Sequence, residues 1–311
     1  MRAGTVLGAL RKIGHQRAAV SLIETTRANA TTMATHVFQQ VDVFTAVPFK
    51  GNPLAVILNG DNLAEQQMAA IAGWTNLSET TFLVAPTEPS ADYRVRIFTP
   101  ERELPFAGHP TLGSCHAWLK AGNSPKGDHV VQECGVGLVR IKRDGHSLAF
   151  AAPPLRRSGP VAPDLLARLA RGLRVEPAAI KASQWVDNGP GWVAVMFASR
   201  AEILTLRPDF PSFAGQPVGV VAPWDAEKDG SDANFEVRGF ITTRSAEDPV
   251  TGSLNAGLGQ WLIGSGIAPN RYIASQGTAL GRAGRVHVEL EGQDIWVGGN
   301  TLTCIEGKIN V

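Results

Sequence analysis

From Val37 onward, apolar and polar positions alternate or run in short blocks: Val37-Phe-Gln-Gln-Val-Asp-Val-Phe44, Leu54-Ala-Val-Ile-Leu58, Thr80-Thr-Phe-Leu-Val84 and Tyr93-Arg-Val-Arg-Ile-Phe98. Such blocks, bounded by Gly, Pro and Asn, predict strands. Between the second and third, Asn62 to Ala72 (NLAEQQMAAIA) carries apolar residues at helical spacing, and Asn62 with Glu65 has the form of an N-cap pair. A second helix is predicted from Gly108 to Lys120, with Pro110 in the first turn, where its missing N–H costs nothing, and Gly122 as the stop. The later half has the same grammar. Ala162 to Leu173 is helical, Trp192 to Phe197 and Val237 to Thr242 are strands, and a glycine-rich helix runs from Thr251 to Gly264.

The two glycine-rich helices match. Gly108, Gly113 and Gly122 recur as Gly252, Gly257 and Gly266, each 144 positions later, while Arg96 and Phe98 recur as Arg238 and Phe240 at 142. Strand, loop and helix keep their order, which predicts a duplicated unit with its connection in Ala151 to Ser158. Both helices are apolar nearly all round, so each must be buried on most sides, and their small residues admit close strands. The expected fold is therefore α/β (α+β): two pseudo-symmetric domains, residues 36–153 and 154–311, each a curled mixed sheet around a central helix, with the last strands free to return to the first domain.

Composition narrows the class. A chain of 311 residues predicts two domains. With 44% apolar and 18% charged residues it can bury sizeable cores, which excludes disorder over most of its length. Lys and Arg number 29 against 28 Asp and Glu, so the net charge of +1 supplies no pull toward nucleic acid or membrane. No apolar run approaches the ~18 residues that span a bilayer. Cys115, Cys134 and Cys304 are odd in number and far apart, with no CxxC or Cys/His ligand spacing. That argues against a disulfide framework and a zinc site and suits a reducing cytoplasm. Residues 1–35 are basic, with one acid, Glu24; their apolar stretches are too short for a signal peptide. A transit peptide shares this acid-poor composition, but a poorly ordered extension before Met33 is the simpler expectation.

Three segments carry chemistry: Asn76-Leu-Ser-Glu-Thr-Thr-Phe82, with Glu79 at a strand start, and the two helix openings Pro105 to Gly113 and Ala246 to Leu254. Exposed N–H groups and the dipole make a helix opening an anion site, and Gly108 and Gly252 let a ligand approach the backbone. A pseudo-twofold would turn both openings toward one cleft. At the wall of an apolar cleft Glu79 would have its pKa raised toward working pH, which suits a group that takes a proton and gives it back. His109 and Asp248 are placed to share that work or to hold substrate. Each also has a plainer reading from spacing alone: Glu79 as an ion-pair or capping residue, His109 as a packed turn histidine, and Asp248, Thr251 and Ser253 as helix caps.

Five ordered segments decide between these readings: Phe49-Lys-Gly-Asn-Pro53, Asn76 to Phe82, Arg96-Ile-Phe-Thr-Pro100, Leu104 to Gly113 and Glu247-Asp-Pro-Val-Thr-Gly-Ser253. Together with Gln276-Gly277 and Gly281-Arg282, they resemble the PhzF-like family from about Val37 to the C-terminus. The resemblance implies a diaminopimelate-epimerase-like fold with the site between two similar domains. It implies a cofactor-independent isomerase, without metal, acting on a small carboxylate, and a homodimer. It assigns Glu79 as the proton shuttle, His109 and Asp248 as polar residues flanking the substrate, and Ser78, Gly108, Gly252, Ser253 and Asn52 as substrate-binding positions. The phenazine substrate itself does not transfer with the fold.

Two departures matter. Amino-acid epimerases of this fold place a cysteine at each helix opening, where this chain has Ala107 and Thr251, so a two-thiol racemase fits poorly. Trp74 stands where the resemblance implies a smaller or acidic residue, which points to a different substrate. The alternatives are a glutamate-based epimerase or racemase, and a non-catalytic relative that binds a ligand or a protein.

Overall fold

Strand Thr35–Val43 pairs antiparallel with Asn52–Leu58, which runs parallel to Thr80–Val84. Thr80–Val84 is antiparallel to Tyr93–Phe98, and that strand is parallel to Val130–Cys134. Two antiparallel steps, Gly137–Asp144 and Ser147–Ala151, lead to the long last strand Asp294–Asn310, whose end pairs back with Thr35–Val43. In this computed structural model, which describes residues 33–145 and 147–311, the first half is thus a closed circuit of strands. The extension expected at 1–35 lies almost wholly outside the described residues.

The second half repeats the scheme. Ala182–Asp187 is antiparallel to Val193–Met196, which is parallel to Val218–Pro223; then follow antiparallel Phe235–Ile241, parallel Arg271–Gln276 and antiparallel Gly284–Glu291 and Asp294–Asn310. Residues 151–159 carry the circuit round, bonding to Trp296 and Ile295 at one end and to Val186 and Asp187 at the other. Strands 147–151 and 294–298 therefore serve both halves.

Among the described residues five α-helices punctuate the strands: α1 Glu65–Thr75, α2 Gly108–Lys120, α3 Pro163–Leu173, α4 Arg200–Thr205 and α5 Gly252–Gly264. Helices α2 and α5 are the two central ones, and each packs against strands of its own circuit. Their pseudo-equivalent glycines explain the fit. A Cβ at Gly113 would lie 2.6 Å from Leu54 Cδ2, and one at Gly257 would lie 2.3 Å from the Val186 carbonyl oxygen. Only a bare Cα lets the sheet wrap so closely.

The duplication extends to side chains. Arg96 forks onto Glu103 with bonds of 2.8 and 2.7 Å, and Arg238 forks onto Glu247 with bonds of 2.9 and 2.7 Å. Each arginine also lies over the phenylalanine two residues on, Phe98 or Phe240. The slip from 144 to 142 has a local cause: Phe98 pairs with Glu103 but Phe240 pairs with Glu247, so the joining turn is two residues longer in the second half.

Several boundaries differ from expectation, α1 most of all. Asn62 closes a short 3-10 turn, Gly60–Asn62, and α1 starts at Glu65, where Gln67 Oε1 accepts from the Ala64 N–H. Trp192 lies before its strand rather than in it. Among the described residues, no helix is long and apolar enough to cross a membrane.

Candidate active site

Ala107 and Thr251 are the N-cap residues of α2 and α5, and neither caps its helix with a side chain. The two helix openings meet. A Cβ built on Gly108 would stand 2.7 Å from Gly252 Cα, and one on Gly252 would stand 2.8 Å from Gly108 Cα. Among the described residues nothing accepts from the N–H groups of Gly108, His109, Gly252 and Ser253. Two helix dipoles thus converge on one point. That point lies in a cleft of about 380 Å³, whose wall includes Glu79, Gly108, His109, Asp248, Gly252 and Ser253.

Glu79 reaches the cleft because Asn76 ends α1 in the left-handed region and the chain turns at once into strand Thr80–Val84. Its side chain is 14% exposed, and its Oε2 has no hydrogen-bond partner among the described residues. Burial, with the nearby Asp248 charge adding to it, raises its pKa to about 8. At neutral pH Glu79 is mostly a carboxylic acid. His109 Nε2 lies 3.3 Å from Glu79 Oε2 but not at a hydrogen-bonding angle, and it too is unpartnered. Burial pushes this histidine down to about 3, so it is neutral.

Behind the cleft wall, Asn52 joins the two halves. Its Nδ2 donates to Asp248 Oδ1 (3.0 Å) and to the Val250 carbonyl (2.9 Å), and lies 3.3 Å from His109 Nδ1. Facing a donor on Nδ1, the imidazole is assigned its proton on Nε2, the atom toward Glu79. Asp248 Oδ2 accepts from Thr251 Oγ1 at 2.6 Å, and Thr251 Oγ1 in turn accepts from Gln276 Nε2 at 2.9 Å. Burial raises Asp248 to about 6, against the lowering effect of the Thr251 and Asn52 bonds, so it is ionised at neutral pH. One acid, one anion and one neutral imidazole therefore share the cleft.

Glu79, His109, Asp248, Gly108, Gly252 and Ser253 come together in the cleft. Two expected contacts do not. Asn52 is 0% exposed and supports Asp248 and His109 rather than lining the cleft, and Ser78 is half-buried beside Glu79 but off the lining. Trp74 is 82% exposed on α1 and also off the lining, so it does not shape the substrate space. Asp248 does not cap α5; it ends strand Ala246–Asp248. Thr251, which stands where the epimerases of this fold carry a cysteine, is a cleft residue that donates to Asp248, and Ser253 Oγ accepts from Trp192 Nε1 at 3.0 Å. No local spacing joins Thr251 to Gln276 or Ser253 to Trp192. The three cysteines are free, and burial pushes the Cys115 thiol up to about 12, away from thiolate chemistry. Among the described residues there is no cluster of three or more His, Cys, Asp and Glu side chains suited to hold a metal.

Comparison with known proteins bears on the family and the fold. The family model for PhzC-PhzF, phenazine biosynthesis-like protein, matches residues 41–307. Antisense-enhancing sequence 1 of Schizosaccharomyces pombe is 37% identical, over 89% of this chain and 99% of its own. The trans-2,3-dihydro-3-hydroxyanthranilate isomerase of Pseudomonas aeruginosa is 31% identical, over 88% of this chain and 99% of its own. A PhzF-family crystal structure from Enterococcus faecalis superposes with a TM-score of 0.74 at 25% identity, covering 89% of this chain and all of that one.

Proposed function

The chain belongs to the PhzC-PhzF family, and on that premise we propose that this isomerase moves a proton between two carbons of a small carboxylic acid, with Glu79 taking and returning it. The observation that carries this reading is the state of Glu79: a buried carboxyl raised to about 8, its Oε2 unpartnered, in the wall of the cleft where two helix openings meet.

The substrate carboxylate binds at the open N–H groups of Gly108, His109, Gly252 and Ser253. Ionised Glu79 takes a proton from an activated C–H. Its raised pKa makes it a stronger base than an ordinary carboxylate, so the transfer is less uphill. Negative charge then develops toward the substrate's conjugated system, where the helix N–H groups and the Nε2–H of His109 meet it without reorganisation. Glu79, now a carboxylic acid, returns the proton to another carbon on the same face. The proton leaves one carbon and enters another, so no oxidant or reductant is consumed. Asp248 stays ionised and keeps the Glu79 pKa high.

The test is label incorporation in D₂O, beginning with trans-2,3-dihydro-3-hydroxyanthranilate and extending to other small unsaturated acids. Deuterium in a product formed by wild type and not by Glu79→Gln supports the reading. Equal incorporation by both removes Glu79 from the mechanism.

A further inference from the structure

The lining of the cleft also holds an ion pair between the two halves. Arg244, in the longer turn after Phe240, reaches across to Glu101, in the corresponding turn after Phe98. This ion pair joins the two halves over the cleft, and both residues line it. Its geometry differs from that of the forks within each half. Arg96 and Arg238 each meet two oxygens of one glutamate, whereas Arg244 Nε and Nη2 both converge on the single Oε2 of Glu101, with Nε at 3.0 Å. The Glu101 side chain is 60% exposed and that of Arg244 is 25% exposed. A pair so exposed, using one oxygen of the carboxylate, is weakly held and exchangeable. Arg102, in the turn corresponding to that of Arg244, and Arg156 also line the cleft, and neither has a carboxylate partner among the described residues.

We infer that Arg244 is a specificity residue that releases Glu101 to bind a second anionic group of the substrate, so that the natural ligand is an acid with two anionic ends. One end sits on the helix N–H groups and the other at the arginine rim, with Phe106, Trp192 and Ile241 of the lining against the apolar body between them. An incoming carboxylate or phosphoryl group offers two oxygens to the guanidinium fork, a better match than the single oxygen it displaces. This inference rests on the carboxylate-binding part of the proposed function and deepens it.

Calorimetric titration of the full-length protein with benzoate, isophthalate and 3-phosphonobenzoate tests it. Isophthalate or 3-phosphonobenzoate is expected to bind about tenfold or more tightly than benzoate, and whichever of the two gains more identifies the second anion as carboxylate or phosphoryl. Arg244→Gln is expected to erase that gain while leaving benzoate within a few-fold, and Glu101→Gln is expected to increase it by removing the competing carboxylate. Binding of neither dianion tighter than benzoate, or a gain that survives Arg244→Gln, overturns the inference. Repeating the titrations with Glu79→Gln separates the two readings: the gain persists there if Arg244 acts as stated, whatever becomes of proton transfer.

Discussion

Gly108 and Gly252 touch backbone to backbone, each the first residue of a central helix, so that two helix N-termini open on one point between the halves. Alanine at either position would press a Cβ to within 2.8 Å of the other's Cα, and backbone cannot yield as a flexible side chain can. We expect Gly108→Ala or Gly252→Ala to cost about 1–3 kcal/mol by thermal or denaturant unfolding and to weaken carboxylate binding. Gly73→Ala on α1, where nothing lies within 4 Å, is the control and should stabilise by about 0.4–1 kcal/mol.

Glu79→Gln keeps the shape of the side chain but cannot cycle a proton at neutral pH. Label exchange in D₂O is expected to fall by about 10⁴-fold, the upper end for a general acid–base group, while carboxylate binding stays within a few-fold. A loss confined to binding would contradict the role assigned to Glu79.

The wild-type exchange rate should rise with pH toward about 8 as Glu79 gains its base form. Stability should move the other way. Because the folded-state pKa of Glu79 lies above its unfolded value of 4.5, the folded chain holds a proton there that the unfolded chain has lost, and this part of the stability declines as pH rises to about 8. Buried His109, lowered to about 3 from 6.5, opposes the decline only below about 6.5. Between pH 6.5 and 8, wild type should therefore lose stability relative to Glu79→Gln, by up to about 1.4 kcal/mol per pH unit, read from denaturation at each pH.

Thr251→Val removes the hydroxyl that donates to Asp248 Oδ2 and keeps the shape. Losing a bond that favours the ionised form should raise the Asp248 pKa above about 6, as carboxyl ¹³C NMR titration would detect. An unmoved titration would mean that the Thr251 hydroxyl does not help to hold Asp248 ionised.

Alternation, helical spacing and glycine positions sufficed for α2, α5, the strands 80–84 and 93–98, and the twofold repetition, because those signals are local or recur at a fixed offset. The same local signals misplaced the start of α1, since Gln67 bonding back to Ala64 competes with Asn62 as a cap. Helix starts and a strand start marked Glu79, His109, Asp248 and the two helix-opening glycines as candidates, and the resemblance to the PhzF-like family chose between their functional and plainer readings. Their partners carried no such mark. Asn52 bonds Asp248 across 196 positions, Thr251 bonds Gln276 across 25, and Arg244 meets Glu101 across 143. Nor did the sequence place Trp74 on the outside or Asn52 behind the wall. Local sequence determines which groups can exist at a helix opening or a strand end. The closing of two circuits of strands, which share residues 147–151 and 294–298, decides which of those groups are buried together; burial makes Glu79 an acid and His109 neutral, while the Thr251 and Asn52 bonds hold Asp248 as an anion against it.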